Sequence, residues 1–221
     1  RLADDEFMVI GSGMAERYHA RFFNAVPLPE GTTFESHTAA MCGFNVAGPK
    51  SRDMLQGLTN TSLANETFRF MRSQRITLGG VDVVALRVSF TGDLGWELHC
   101  STENQARLYE VLIDAAKQHG GGPVGSRALM SLRVEKGYGS WSREYSPEYF
   151  PHEVGFDGLC KMGKDFLNKD AAAAAMAKPP RENLVLIHID EEDVNASNAD
   201  ATGGEPIFNK KGEGIGRVTS G

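Results

Sequence analysis

A single glutamate, Glu97, follows a glycine-containing turn and has an indole as its immediate neighbour. Residues 89–98 read SFTGDLGWEL, so Gly92 and Gly95 flank the turn and Trp96 precedes the carboxylate. The two oxygens of a carboxylate accept paired N–H hydrogen bonds, and an aromatic ring offers a surface for stacking. This combination predicts a site that binds a flat, polar heterocycle.

The same glutamate has a second interpretation. Residues 87–90 and 96–99 alternate polar and apolar side chains, as the strands of a half-buried hairpin do. In an antiparallel sheet with one solvated face, every second side chain points to water. Glu97 fits that role equally well, and this segment by itself leaves both interpretations open.

A second segment, residues 129–144, combines a helix end with aromatic side chains. Leu129 and Leu132 suit the buried face of a helix that ends at Gly137. Tyr138 and Trp141 follow, where the chain leaves the helix. They can line a pocket, or they can be ordinary packing aromatics.

Together the two segments resemble the glycine-cleavage T-protein (aminomethyltransferase) family, in particular the folate-binding C-terminal region of dimethylglycine and sarcosine dehydrogenases. Each motif is weak evidence alone, but six of them follow the family order over nearly the whole chain. The motifs are GPKSR at 48–52, FTGDLGWE at 90–97, SLRVEKGYGSW at 131–141, PHEVG at 151–155, KDFL at 164–167 and GRVTSG at 216–221.

The resemblance implies a set of cofactor-binding residues. It implies that Glu97 hydrogen-bonds the pterin of tetrahydrofolate and that Phe90, where relatives usually have tyrosine, lies nearby. Tyr138 and Trp141 match the aromatic residues of the family's pocket. Leu129 stands where T-proteins carry a substrate-binding arginine, which points to the dehydrogenase branch.

The resemblance also implies that parts of the family's domain lie outside this chain. The aspartate that acts in the family precedes the position of Arg1, so no catalytic residue is assigned here. We expect an α+β fold, in which residues 1–178 form a folate-binding aminomethyltransferase-like domain without its N-terminal part. Residues 182–221 are expected to begin a C-terminal β-barrel domain, with the boundary after Pro179 and Pro180.

Hairpins and helices in mixed order, rather than repeated strand–helix–strand units, support the α+β class. The predicted strands are 7–10, 32–36, 41–46, 74–78, 81–90, 97–100 and 184–189, followed by a hairpin around a turn at 209–214. The predicted helices are 14–25, 51–58, 103–119, 126–136 and 168–177, and residues 191–204 are predicted to be loop.

The function implied by the resemblance is tetrahydrofolate-dependent transfer of a one-carbon unit. The chain would be a module of an oxidoreductase in which an upstream domain or subunit carrying FAD oxidises an N-methylated amine. The expected compartment is the cytoplasm of a bacterium or the mitochondrial matrix. The alternative is a non-catalytic folate-binding or scaffold protein.

Composition excludes several other classes. The net charge of −6 argues against a nucleic-acid partner, which requires a basic surface. No apolar run approaches the roughly 20 residues that a membrane-spanning helix needs. The histidines lack metal-ligand spacing, so no metal site is expected. Cys42, Cys100 and Cys160 are widely spaced and predict buried, reduced thiols without redox pairing.

One rival motif lies near the start of the chain. A predicted strand at 7–10 is followed by GSGMAE and a predicted helix, as in a dinucleotide-binding turn. Glu35 stands near the distance expected for a ribose-binding acid. Glu16, however, replaces the third small residue, which disfavours close packing of helix on strand.

Overall fold

The structure, a computed structural model, describes residues 1–197 and 199–221. It contains two compact units, residues 1–129 and 130–221. The first unit contains helices α1 (Glu16–Ala25), α2 (Ser51–Gln56) and α3 (Gln105–Gln118) and strands β1 (Met41–Ala47), β2 (Ser73–Leu78), β3 (Val81–Leu86) and β4 (Gly95–Ser101). Helix α4 (Ser126–Glu135) has residues in both units. The second unit contains helices α5 (Lys169–Met176) and α6 (Glu191–Ser197) and strands β5 (Pro206–Phe208) and β6 (Gly214–Arg217).

The first unit is built on one antiparallel sheet with the strand order β1-β4-β3-β2. Gly79 and Gly80 connect β2 to β3 with φ values of +54° and +77°. Two consecutive residues at positive φ give a turn whose twist matches that of the paired strands, and glycine adopts this conformation without steric cost. The predicted hairpin is therefore confirmed.

One face of this sheet forms the hydrophobic core with helices α2 and α3. Leu108, Leu112 and Ala115 recur at helical spacing, so α3 presents them together to the sheet. Burying a side chain the size of leucine contributes about 1.5–3 kcal/mol. The strand residues in this core are Ile76, Leu78, Val81, Val83, Ala85, Trp96, Leu98 and Cys100.

Three predicted strands are wrong. Residues 7–10, 32–36 and 183–190 have no regular secondary structure. An apolar run forms a strand only where another strand offers its backbone groups for pairing, and a local pattern does not specify that partner. The predicted strand over 81–90 also ends early, at Leu86.

The second unit differs from the prediction at one more place. Residues 191–204 were predicted to be loop, but the first seven of them form helix α6. Its first turn carries Glu191, Glu192 and Asp193, whose negative charges interact favourably with the positive end of a helix dipole. The hairpin of β5 and β6 is confirmed. The predicted domain boundary at 178–182 stays a prediction.

Candidate functional site

The predicted pterin-binding residue Glu97 lies on β4, an inner strand of the sheet. It is paired with Asn45 of β1 on one side and with Leu86 of β3 on the other. Its strand neighbours Trp96 and Leu98 are fully buried in the core. Because side chains alternate along a strand, Glu97 lies on the opposite face, away from that core.

Trp96 therefore cannot provide the stacking surface beside Glu97 that the sequence suggested. Its ring packs edge-on against Phe68, with 6.2 Å between ring centroids. The guanidinium carbons of Arg52 and Arg87 each lie 5.9 Å from the Trp96 ring, within the range of a cation–π interaction. The indole belongs to the core and is not available for stacking on a ligand at Glu97.

His99 shares the face of Glu97, two residues further along β4. Its Nε2 lies 3.6 Å from Oε2 of Glu97, and the two side chains are 14% and 27% exposed. That nitrogen is buried and makes no hydrogen bond to any described residue. Gly43 lies opposite His99 on β1, and a Cβ there would come within 3.0 Å of Nδ1. The absent side chain at Gly43 leaves room for the imidazole.

Phe90 lies in the turn that leads from β3 to the strand of Glu97, and its side chain is half-buried. The Ser89 and Thr91 hydroxyl groups on either side of it are 2.9 Å apart. The Thr91 hydroxyl also donates to the Asp93 carboxylate at 3.4 Å. These short-range hydrogen bonds shape the turn around the phenylalanine.

Tyr138 and Trp141 lie beyond the end of α4, in the second unit. The Tyr138 amide donates to the Arg133 carbonyl at 2.8 Å, which closes the last helical turn. Tyr138 is 37% exposed. Trp141 is half-buried and pairs through its backbone with Tyr145. Of the four predicted residues, Phe90 and Glu97 thus belong to the first unit, and these two aromatics belong to the second.

A buried ionic cluster, which the sequence did not predict, stands next to these aromatics in the second unit. Arg133 Nη1 donates to Glu144 Oε2 at 3.1 Å and to the Tyr138 carbonyl at 2.9 Å. Ser220 accepts from Arg133 Nη2 at 2.5 Å and donates to Glu144 Oε1 at 2.6 Å. The Ser140 amide donates to Glu144 at 2.8 Å. This cluster holds in place the backbone that carries Tyr138.

A separate cavity of about 460 Å³ in the second unit has a mixed charge. Its lining residues are Glu148, Tyr149, Glu153, Arg181, Glu182 and Arg217. Arg181 donates to both carboxylate oxygens of Glu153, at 2.7 and 2.8 Å. These hydrogen bonds hold the pKa of the Glu153 carboxyl well below its usual value. Carboxylate and guanidinium groups lie beside one another in the lining of this cavity. The cavity therefore does not favour a ligand of one charge sign over a ligand of the other.

The structure does not support a dinucleotide-binding turn after residues 7–10. A phosphate-binding turn of that type connects a buried strand to a helix. Residues 7–10 form no strand here, and Phe7 and Val9 are largely exposed. Gly13 instead begins a short 3₁₀ turn that leads into α1.

Residues 1–197 and 199–221 lack two kinds of feature, a metal-binding cluster and a membrane-spanning helix. No three histidine, cysteine, aspartate or glutamate side chains in these ranges are grouped so that they could hold a metal ion. No helix in the same ranges combines the length and apolar character needed to cross a membrane.

Comparison with known proteins gives consistent matches. The chain is 33% identical to mitochondrial dimethylglycine dehydrogenase of Rattus norvegicus over 220 residues, which cover 98% of the chain and 25% of that protein. It is 36% identical to mitochondrial sarcosine dehydrogenase of Mus musculus over 151 residues, 67% of the chain and 16% of the relative. An aminomethyltransferase of Saccharopolyspora erythraea is 32% identical over 178 residues, 80% of the chain and 46% of the relative.

The fold also matches a solved structure. The glycine cleavage system aminomethyltransferase T from Bartonella henselae superposes with a TM-score of 0.61 at 20% identity, over 81% of this chain and 47% of that one. The chain thus has the mixed helix-and-sheet fold of an aminomethyltransferase T protein, and it spans about a quarter of the length of the dimethylglycine dehydrogenase that it matches. The family model for the GCVT N-terminal domain matches residues 1–164, and the chain belongs to that family.

Proposed function

We propose that this chain binds tetrahydrofolate and serves as the one-carbon transfer module of a dimethylglycine or sarcosine dehydrogenase-type enzyme. The observation that carries the proposal is the position of Glu97, a half-buried carboxylate held on an inner strand of a domain that belongs to the GCVT family. Tetrahydrofolate supplies the nucleophilic nitrogen that accepts the one-carbon unit.

The residues present fit a pterin at this position. The pterin ring offers neighbouring N–H donors, and the two oxygens of Glu97 can accept a pair of them. The pairing of β4 with β1 and β3 fixes the backbone that carries this carboxylate before the ligand arrives, so the backbone loses little conformational entropy on binding. Phe90 adds apolar surface from the preceding turn. The cofactor-binding roles of Tyr138 and Trp141, which belong to the second unit, stay predictions.

The role of these residues is orientation. Glu97 would fix the ring by hydrogen bonds, and Phe90 would exclude water from one part of it. Oxidation of an N-methylated amine would take place on an FAD-carrying domain or subunit, in keeping with the dehydrogenase names of the relatives. No residue of this chain is assigned to proton transfer.

The proposal extends to the rest of the predicted organisation. The T-protein fold and the hairpin of β5 and β6 support residues 1–178 as the folate-binding domain and residues 182–221 as the beginning of a C-terminal β-barrel domain. The mitochondrial names of two relatives support the mitochondrial matrix as the compartment, with a bacterial cytoplasm as the other prediction.

The test is titration of the purified protein with tetrahydrofolate by calorimetry. Loss of a hydrogen bond to a charged group costs about 1.5–3 kcal/mol, so Glu97→Gln and Glu97→Ala should weaken binding by about 10- to 150-fold. Glu110→Gln, which changes an exposed acid on α3, is the matched control and should bind like the wild type.

The possible results distinguish an error in the proposed function from an error in the assignment of Glu97. A wild type that does not bind tetrahydrofolate would refute the function itself. Wild-type affinity in Glu97→Ala would leave the function standing and remove Glu97 from the site. Tight folate binding without transfer of a one-carbon unit in the intact protein would favour the scaffold alternative.

A further inference from the structure

Cys42 and Cys100 lie side by side, although they are 58 positions apart in the sequence. They are direct partners in the register of β1 and β4, and their Sγ atoms are 3.4 Å apart. All three cysteines are free thiols here, but the wide spacing of Cys42 and Cys100 in the sequence hides the fact that these two are neighbours in space. The register of the sheet, and not their spacing along the chain, brings them together.

The backbone already meets the requirements of a disulfide. Facing residues of an antiparallel pair have Cα atoms about 4.5–5.5 Å apart, and disulfides span about 4.4–6.8 Å between Cα atoms. Bond formation needs the sulfurs to approach from 3.4 Å to about 2.0 Å. Side-chain rotation can provide this movement while the strands keep their pairing.

The two thiols differ in their access to solvent. Cys42 is half-buried on β1, an edge strand, whereas Cys100 is buried on an inner strand. Burial raises the pKa of the Cys100 thiol to about 11, and its hydrogen bond with Cys42 adds to the effect. A thiolate is the attacking species in disulfide exchange, so the reaction begins at Cys42.

We propose that Cys42 and Cys100 form a reversible disulfide when the protein meets a small-molecule disulfide such as oxidised glutathione. The Cys42 thiolate attacks one sulfur of the reagent, whose S–S bond breaks and releases one glutathione thiolate. The Cys100 thiol then loses its proton to water and attacks Sγ of Cys42, which releases the second glutathione. Two electrons and two protons pass from the protein to the reagent, which becomes two glutathione molecules.

The bond would have a local effect on the sheet. It would fix the edge strand β1 to β4, the strand that also carries Glu97 and His99. A cross-link that constrains the unfolded chain raises thermal stability. We therefore expect the oxidised protein to unfold at a higher temperature than the reduced one, and dithiothreitol to reverse the shift.

The experiment exposes the purified native protein to oxidised glutathione, unfolds it in iodoacetamide and maps its peptides by mass. We expect a peptide that joins residues 42 and 100 and is lighter by two hydrogens than the two free peptides together. Cys160→Ser should form the same cross-link. Cys100→Ser should stop at a glutathione adduct on Cys42, and Cys42→Ser should form no cross-link.

The wild-type protein alone can overturn the proposal, so the test does not depend on the folding of any variant. Full alkylation of both Cys42 and Cys100 after exposure would refute it. Separate glutathione adducts on both residues, with no cross-linked peptide, would refute it equally.

Discussion

Arg133 and Glu144 form an ion pair from which water is almost completely excluded. Their nearest atoms are 3.1 Å apart, and the two side chains are 2% and 4% exposed. Both are also hydrogen-bonded to Ser220, so each charge has more than one partner. Removing one member of such a pair leaves the other charge buried and uncompensated, which is costly.

The first prediction concerns that pair. Arg133→Met should lower the free energy of unfolding by about 3–5 kcal/mol, because the Glu144 charge loses its buried partner. Denaturant unfolding followed by circular dichroism measures the change. Lys136→Met removes an exposed cation just after the same helix and should have an effect below about 0.5 kcal/mol. Equal effects of the two substitutions would contradict the importance of the pair.

The second prediction is a pH dependence of stability. Burial alone would raise the pKa of Glu144, but hydrogen bonds from the Ser220 hydroxyl and the Ser140 amide outweigh burial and lower the pKa to about 2. The folded pKa thus lies below the usual value of 4.5. The carboxylate therefore stabilises the fold above pH 4.5, and this contribution of about 3 kcal/mol is lost as the pH falls toward 2.

The comparison that isolates Glu144 uses Glu144→Gln. Glu153 and Glu205 also have lowered pKa values, and they affect the wild type and the variant alike. The difference in unfolding free energy between the two proteins should be largest at neutral pH and should shrink below pH 4.5. A difference that stays constant from pH 7 to pH 3 would show that Glu144 does not titrate as described.

The third prediction links Gly43 to Glu97 through His99. In Gly43→Ala the new methyl group would lie 3.0 Å from Nδ1 and 3.2 Å from Cε1 of His99, so the ring must shift. Because His99 contacts Glu97, tetrahydrofolate affinity should fall about threefold, a coupling typical of residues in contact. The same substitution in a His99→Ala background should change nothing.

A control for that substitution is Gly163→Ala, since a Cβ at this position has no neighbour within 4 Å. It should leave folate affinity unchanged. A threefold loss from Gly43→Ala that persists without the imidazole would mean that the methyl group disturbs the strand itself, and not the contact of His99 with Glu97.

The fourth prediction concerns the hairpin of β2 and β3. Gly79→Ala places a methyl group at φ +54° and 2.5 Å from Cγ1 of Val111. The backbone conformation alone costs about 1–3 kcal/mol of unfolding free energy, and the clash adds to it. Gly80→Ala should cost less, because its nearest neighbour is the flexible end of Arg107. Thermal unfolding ranks the two variants, and a reversed order would contradict this account.

The sequence predicted those parts of the fold that depend on local chemistry. The Gly79–Gly80 turn and the helical spacing of Leu108, Leu112 and Ala115 are properties of short segments, and both were identified. Residues 7–10 and 184–189 have the composition of strands as well. They do not pair here, because pairing depends on a partner strand that no local pattern describes.

The same limit applies to the candidate site. Alternation along β4 makes the side chain of Glu97 face away from Trp96, a consequence that the sequence already contained. Glu97 and His99 are two residues apart on one strand, and this spacing also predicts that their side chains lie on the same face of the sheet. Cys42 contacts Cys100 because of the strand register, and Arg133 contacts Glu144 because the chain reverses direction between them. Only the three-dimensional structure supplies the register and the reversal.

The connection from Leu86 to Gly95 has a role beyond joining two strands. Together with the buried alternation of Trp96, Leu98 and Cys100, its length affects the register of β4, that is, which alternate residues of the strand point to the helices. A deletion of one residue from 87–94 that slid β4 by one position would turn Glu97 and His99 into the core and Trp96 out into water. Because burying those two polar side chains and exposing the indole would each cost free energy, a one-residue change of length in this turn should be tolerated only where the turn absorbs it without shifting β4.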